Sequence, residues 1–327
     1  MIAQALATSL RPPISAGRFQ REIVLALALL GAAAVFASQS DAFLSQRNLT
    51  VVLRNSVELA VIAAGMTLVI ILGGIDVSIG GVFAVSAIAI GRVWQAGAPE
   101  PLVVAAGVAA GAALGAFNGL VIARTKAPPI IATLGSMYVF IAALFLIIGG
   151  TWISGLPNTL SFLVRGAPLG LPAALWIIAV VYAAAWLALR RTPWGRRVVA
   201  IGCDERAARL AGVPVERTKV QTYAFLGLLA GVAAVLYVAR MRNVEVTLGA
   251  SVAMEAIAAV ILGGASIRGG VGSLLGALLG VFFIKVMQNG LVLIGVSSLW
   301  ETVVIGALLL MVVGFDAWRD RRRGLAP

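Results

Sequence analysis

Gly73-Gly74-Ile75-Asp76-Val77-Ser78-Ile79-Gly80-Gly81 stands between two apolar runs, Val51 to Leu72 and Val77 to Ala96, and puts four glycines and an acid where a membrane helix would otherwise continue. In the other half of the chain, Ile261-Leu262-Gly263-Gly264-Ala265-Ser266-Ile267-Arg268-Gly269-Gly270 echoes it one residue shorter. Glycine pairs that interrupt apolar segments at corresponding places point to broken helices, whose unwound amides and carbonyls can bind a polar solute. The simpler alternative is a pair of tight glycine turns. Asp76 sharpens the choice, because a carboxylate at membrane depth costs roughly 2.5 to 3.5 kcal/mol on insertion scales and is usually kept for function. Its own alternative is to cap the following helix, a service Ser78 also offers.

Working outward, eight further apolar runs appear: Ile23 to Ala37, Leu102 to Ala123, Ile130 to Ile148, Pro172 to Leu189, Val220 to Ala239, Val252 to Leu262, Leu274 to Ile294 and Leu299 to Phe315. Hydrophobic residues make up 61% of the 327 positions and charged residues 12%, about half the charged share of a soluble domain. The expected fold is therefore an all-α polytopic transmembrane helical bundle of about ten spans with broken or re-entrant glycine-rich segments. The expected division is a short cytoplasmic segment over residues 1–22, one transmembrane domain over 23–317 and a cytoplasmic tail over 318–327. A cleaved signal sequence is the weaker reading of the first run, since nothing downstream reads as soluble. The 37 glycines suit helices that must approach closely where no hydrophobic effect drives them together.

The net charge of +12 sits between the apolar runs, so it fits the positive-inside rule rather than a nucleic-acid surface. The 190–219 stretch carries eight basic residues, Arg190, Arg191, Arg196, Arg197, Arg206, Arg209, Arg217 and Lys219, against Asp204, Glu205 and Glu216, a net of +5. Arg124, Lys126 and the tail residues Arg319, Arg321, Arg322 and Arg323 fall on the same side by alternation, which places both termini in the cytoplasm. That parity depends on Val252 to Leu262, whose 11 residues suit a re-entrant or broken helix better than a full span. Glu58, Glu255 and Lys285 are the other ionisable residues within apolar runs, each near enough to an end to reach the headgroups or snorkel. Asn118, Gln288 and Asn289 can bind a hydroxylated solute or serve as interhelical polar glue.

Within the basic loop, Asp204 reads as an N-cap, Ala207 to Ala211 as helix and Gly212 with Pro214 as its stop. A short capped helix between two spans suits docking on a cytoplasmic partner; the alternative is a topology determinant resting on anionic lipid. No Gly-x-x-x-x-Gly-Lys-Ser/Thr segment occurs, so any ATP that drives this chain must bind another polypeptide. The single cysteine, Cys203, and the lack of histidine leave no zinc-type ligand set.

Gly73 to Gly80, Pro129-Ile130-Ile131-Ala132-Thr133-Leu134-Gly135-Ser136, the loop Gly195 to Val213, and Leu262-Gly263-Gly264 through Gly269-Gly270-Val271-Gly272 together resemble the permeases of ribose-type bacterial ABC importers, in the same order from about residue 45 to 317. That family includes permeases for ribose, xylose, arabinose, rhamnose and autoinducer-2, and the stretch Val286 to Ile294 followed by Trp300-Glu301 looks closest to the rhamnose and autoinducer-2 branch. The resemblance implies a non-enzymatic subunit of the bacterial inner membrane. It further implies a second permease copy or paralogue, a tandem ATP-binding subunit carrying ATP and magnesium, and a periplasmic or lipid-anchored solute-binding protein. On this reading Gly73, Gly74, Asp76, Ser78, Gly80, Asn118, Thr133, Gly263, Gly264 and Asn289 line the translocation pathway. Gly195, Arg196, Arg197, Gly202, Asp204, Ala207, Ala208 and Gly212 form the element that couples to the ATPase. The chain itself is expected to bind membrane lipid but no cofactor, metal or nucleic acid. A proton-coupled secondary transporter using Asp76, Glu58 and Glu255, or a channel without moving parts, remains the competing reading.

Overall fold

A computed structural model describes residues 16–125, 127–149, 151–156, 158–245, 248–249 and 251–297, with positions 300, 303, 306, 307, 310 and 314 beyond them. The N-terminal basic residue Arg11, Lys126, the greater part of the Leu299 to Phe315 run and the tail arginines lie outside the described residues.

The helices are α1 (Ala16–Gln39), α2 (Gln46–Ile71), α3 (Ile79–Gln95), α4 (Glu100–Thr125), α5 (Pro129–Ile148), α6 (Phe162–Arg165), α7 (Ala173–Arg191), α8 (Pro193–Cys203), α9 (Glu205–Leu210), α10 (Val215–Met241), α11 (Val252–Leu262) and α12 (Leu274–Leu293). Two short strands, β1 (Ile153–Ser154) and β2 (Asn243–Val244), pair antiparallel. Among the described residues seven helices are long and apolar enough to cross a membrane: α1, α2, α4, α5, α7, α10 and α12. Against the sequence expectation of about ten spans, the described residues hold seven such helices and two shorter apolar ones, α3 and α11, while the tenth run lies mostly outside the described residues. The chain is a multi-pass membrane protein.

Burial orders these helices from the inside out. In α2, every residue from Ser56 to Ile71 is buried, so it is the axis of the bundle, whereas α1 and α5 present broad apolar faces outward, as lipid-facing helices do. The tightest pair is α4 with α10, and its cause is written in α4 as Gly107, Gly111, Gly115 and Gly119, one small residue per helical turn. A Cβ on Gly115 would lie 2.9 Å from the Gly227 Cα, and one on Gly119 2.7 Å from the Val220 Cα. The two backbones touch directly, which is the packing available to membrane helices that gain nothing from burying apolar surface.

The bundle has two ends. One, here the basic face, gathers Arg21, the C-terminal end of α2, the α4–α5 turn, α8, α9 and the start of α10. The other is closed by the β1–β2 pair, where the Trp94 indole N–H donates to the Gly155 carbonyl at 3.0 Å and Arg92 Nη2 donates to the Ile147 carbonyl.

Candidate functional site

The opening glycine segment breaks a helix. At the end of α2, Gly73 turns left-handed (φ 88°), its N–H donates to the Ile70 carbonyl at 3.0 Å, and Gly74 N–H donates to Val69 at 2.9 Å. This is a glycine C-cap that satisfies the last carbonyls of the helix. The second copy makes the same turn with Gly264 (φ 88°), whose N–H reaches Ile261 at 2.8 Å while Ala265 N–H reaches Val260 at 3.2 Å. Structurally, then, Gly264 corresponds to Gly73 and Ala265 to Gly74, one position away from the pairing the letters suggest. Gly263 instead packs against the first turn of α12, where its Cβ would fall 2.4 Å or closer to the backbone of Gly276 and Ala277.

The two copies also sit differently in the chain. Gly73 ends a long helix and leads into a short one, α3; Gly264 ends a short helix, α11, and leads into a hairpin. The true counterpart of the Asp76 break is the segment before α11. There Gly249 (φ 88°) packs against Gly80 in the first turn of α3, and a Cβ on Gly249 would lie 2.8 Å from the Gly80 carbonyl carbon. So α3 and α11 begin face to face, their N-terminal turns meeting inside the bundle. α11, about 16 Å long at 1.5 Å per residue, is too short to span alone. It nevertheless ends beside Arg21, whose Nη1 donates to the Gly264 carbonyl at 3.3 Å, after a descent from β2 at the opposite end. The chain thus passes from β2 at one end to the close of α11 at the other, with a turn at Gly249, whose carbonyl accepts the Val252 N–H at 3.2 Å, just before the helix.

An N-terminus carries positive dipole charge, and two meeting at one place call for anionic neighbours. Each has one. Asp76, wholly buried, precedes α3: its Oδ1 accepts the Ser78 N–H at 2.9 Å and the Ser78 hydroxyl at 2.6 Å. Asn118 of α4 donates through Nδ2 to Ser78 Oγ at 2.6 Å and lies 3.5 Å from Asp76 Oδ2. Thr133 of α5 accepts the Val77 N–H at 3.2 Å and reaches the Ile75 carbonyl at 3.2 Å. Glu255, in the first turn of α11, is bound at 2.7 Å by Lys285 of α12. Asp76, Ser78, Asn118 and Thr133 thus form one buried cluster that ties the break to α4 and α5, with Gly80 beside it. The N-cap position is Ser78, which makes no side-chain capping bond, and Asp76 instead closes a turn onto Ser78 ahead of the helix.

Below the cluster, toward the basic face, opens a cavity of about 620 Å³ lined by Gly73, Gly74, Pro128, Glu205, Lys219 and Tyr223 among others. Tyr223 closes its inner end. Its hydroxyl abuts Gly74, is buried and makes no hydrogen bond, and the Asn118 Oδ1 is likewise unpartnered. Tyr223 was not singled out by sequence reasoning, since a tyrosine inside an apolar run carries no local signal; only the contact with Gly74 reveals it. Gly264 and Asn289 lie apart from the cluster. Asn289 forms a reciprocal amide pair with Asn48, both bonds 2.9 Å, that joins α12 to the start of α2.

The remaining acids are engaged one by one. Glu58 is held by Arg240 Nε at 2.7 Å, and Arg240 also donates to Asn55 at 2.9 Å. Asp76, Glu58 and Glu255 therefore each spend their oxygens on separate partners. Among the described residues no group of three His, Cys, Asp or Glu side chains could hold a metal ion.

The basic loop contains two helices where the sequence reading saw one. Thr192 caps α8 by accepting the Gly195 N–H at 3.1 Å, with Pro193 at the first helical position. Val198 and Ile201 are buried beneath α8, and Trp194 packs edge-on to Phe225 of α10 with ring centroids 5.5 Å apart. Asp204 caps α9 as expected, accepting the Ala207 N–H at 2.9 Å, and Gly212 (φ 78°) ends it. Gly195 packs against the last turn of α7, Arg197 is half-buried, Ala208 is buried, and Arg196 and Ala207 are exposed. Leu210, unnoticed in the sequence, is 91% exposed at the end of α9, three residues after Ala207 and on the same outward side. Glu205 is bound by Lys219 at 2.8 Å and by Arg209 at 3.3 Å. Partial burial opposes its ionisation, but the Lys219 and Arg209 bonds outweigh this and hold its carboxyl below the ordinary 4.5.

Two buried half-helices meeting at a glycine contact, beside a cavity that opens toward a capped basic loop, is a transporter's architecture. The model of the family described as branched-chain amino acid transport system / permease component matches residues 48–313. The chain belongs to this permease family. It is 38% identical to the ribose import permease protein of Bacillus subtilis over 279 residues, 85% of this chain and 87% of that one. It is 36% identical to an autoinducer 2 import system permease protein of Enterobacter sp., covering 90% and 86% of the two chains. An autoinducer 2 import system permease protein of Escherichia coli is 35% identical, covering 90% and 92%. No solved structure matches the chain. The family is a transport component, and this chain is a transport permease subunit.

Proposed function

We propose that this permease is the membrane-spanning subunit of an ATP-driven importer for a sugar or sugar-like solute of pentose, rhamnose or autoinducer-2 type. The observation that carries the reading is the meeting of α3 and α11 at Gly80 and Gly249 beside the Asp76 cluster. Solutes bind between broken helices because only there does a membrane bundle hold unspent backbone groups. The buried cluster of Asp76, Ser78, Asn118 and Thr133 has the donors and acceptors that hydroxyl groups match, and an uncharged solute adds no further charge to desolvate. Gly73, Gly74 and Tyr223 then stand at the inner end of the exit cavity.

The engine is a separate, tandem ATP-binding subunit that holds ATP and magnesium on the basic face. Exposed Leu210, Ala207 and Arg196 are the groups available to meet it, an apolar anchor within a basic surround. The positive-inside rule makes that face cytoplasmic, with both termini there, in a bacterial inner membrane. A solute-binding protein would dock on the β1–β2 end, and a second permease copy or paralogue would complete the pathway.

The test is uptake of radiolabelled ribose, with an autoinducer-2 arm, into vesicles holding the permease with its ATPase and binding protein. Uptake that needs internal ATP supports the proposal. Uptake driven by a proton gradient with no ATPase present would sink it.

A further inference from the structure

At the basic face three separate segments meet backbone to backbone. Gly270 N–H, in the hairpin between α11 and α12, donates to the Ile71 carbonyl at the end of α2 across 2.8 Å. Gly202, in the last turn of α8, lies directly over that bond: its Cβ would sit 2.6 Å from Gly270 N and would overlap the Ile71 carbonyl. Gly269 (φ 88°) closes the group, its Cβ falling 2.7 Å from the Gly202 carbonyl oxygen and 2.9 Å from the Gly73 Cα. At Gly202 and Gly269 backbone meets backbone directly, with the Cys203 side chain alongside Gly270.

That has a mechanical consequence. Side chains in contact can absorb a displacement by changing rotamer, whereas touching backbones cannot, and close-packed interiors pass strain on. α8 is itself fastened to the bundle through Val198, Ile201 and the Trp194–Phe225 contact, so it moves as a body. A shift of α8 must therefore displace the end of α2 and the 263–273 hairpin together. The first leads within five residues to Asp76 and the start of α3; the second is the direct continuation of α11. One push reaches both broken helices.

We infer that Gly202, with Gly269 and Gly270, is the joint through which the basic loop drives the two half-helices, making Gly202 a positioning residue for transport rather than a docking residue. This rests on the importer reading. Docking then falls to the outward residues of α9, and transmission to the inward glycine of α8.

The experiment uses the complete transporter in vesicles, ATPase and binding protein included, with radiolabelled ribose and autoinducer-2 as solutes. Gly202→Ala should insert, keep its ATPase, lose ATP-dependent uptake and leave hydrolysis unresponsive to the binding protein. Gly135→Ala, which meets nothing within 4 Å, is the neutral control. Because Gly202→Ala could fail to assemble, a second arm leaves the sequence intact. Cys203 is the chain's only cysteine and is exposed, and its Sγ would lie 2.9 Å from a Cβ at Gly270. N-ethylmaleimide on Cys203 should stop uptake while the ATPase stays bound, and Cys203→Ala should transport and resist the reagent. Full uptake by an assembled Gly202→Ala, full uptake after alkylation, or release of the ATPase on alkylation would each overturn the inference. Wild-type vesicles without ATP-dependent uptake would instead reject the importer reading, a separate failure.

Discussion

Replacing Asp76 by alanine and by asparagine measures what the buried carboxylate does. In the native cluster, Oδ1 accepts the Ser78 N–H at 2.9 Å and the Ser78 hydroxyl at 2.6 Å, and Ser78 Oγ accepts from Asn118 at 2.6 Å. Alanine strands two buried donors on Ser78, at about 1 to 3 kcal/mol each, so Asp76→Ala should cost roughly 2 to 6 kcal/mol. Asparagine keeps a carbonyl oxygen for both, so its loss is the difference between charge-assisted and neutral bonds, about 0.5 to 1.5 kcal/mol per bond. It also turns an amide nitrogen toward Asn118 Nδ2, a clash that Asn118 can relieve only by giving up its bond to Ser78. Relief from burying a charge works the other way, so Asp76→Asn should fall at about 1 to 3 kcal/mol, clearly milder than alanine. Denaturation of the purified permease in detergent gives both values. If the two variants destabilise equally, or neither does, the hydrogen-bonded turn is not what holds the break. If asparagine unfolds near the wild type yet abolishes uptake, the carboxylate serves the solute as well as the helix.

Four further outcomes are expected. Gly227→Ala should lower stability by about 1 to 3 kcal/mol, because its Cβ would meet the Gly115 Cα at 2.8 Å, and thermal melting beside the neutral Gly135→Ala reads it. Glu255→Gln leaves Lys285 unpaired in a mostly buried site and should cost about 3 kcal/mol or more, and Glu255→Gln with Lys285→Met should recover part of it in the same assay. Leu210→Asp should abolish co-purification of the ATPase without shifting the melting curve, since the side chain touches almost nothing in the permease. The Glu205 bond to Lys219 joins α9 to α10 while its bond to Arg209 lies within α9, and a carboxyl with a depressed folded value stabilises above its ordinary 4.5 and loses that contribution as pH falls through the lower one. Backbone amide exchange of 205–219 should hence stay slow at neutral pH and accelerate only in acid.

Much of the scaffold was legible because local chemistry encodes it. Apolar runs became helices in order, Asp204 and Gly212 bounded α9, and Gly73 broke the chain where four glycines stood. What was missed depends on contacts between distant residues. The Gly80–Gly249 meeting needs two segments far apart in sequence, and only the first is conspicuous alone; the second lies before α11 whereas the conspicuous glycine pair lies after it. Glu58 looks like a headgroup anchor until α2 and α10 stand side by side and Arg240 meets it. The four-residue glycine spacing of α4 was visible and under-read: period-four small residues on an apolar helix name the face that touches another backbone. Two equal-looking glycine pairs misled in register because sequence likeness does not say which glycine takes the positive φ.

The arrangement divides labour by residue type. Polar side chains fix the half-helices: Asn118 and Thr133 hold the Asp76 segment, and Lys285 holds Glu255. Those bonds are a few kcal/mol at most and can exchange partners, so a solute hydroxyl arriving at Asn118 Oδ1 or Tyr223 Oη, both now unpartnered, competes on nearly equal terms. Glycines do the opposite: at Gly202 and Gly269 they set the backbone of the basic loop directly against the segments that lead to the breaks. A transporter needs both, a centre soft enough to rearrange around its cargo and a linkage stiff enough to impose the rearrangement. Exchanging the two chemistries should disable it in distinguishable ways, an alanine in the joint uncoupling hydrolysis from transport, and an apolar residue at Asn118 leaving the linkage intact with nothing at the centre for the solute to replace.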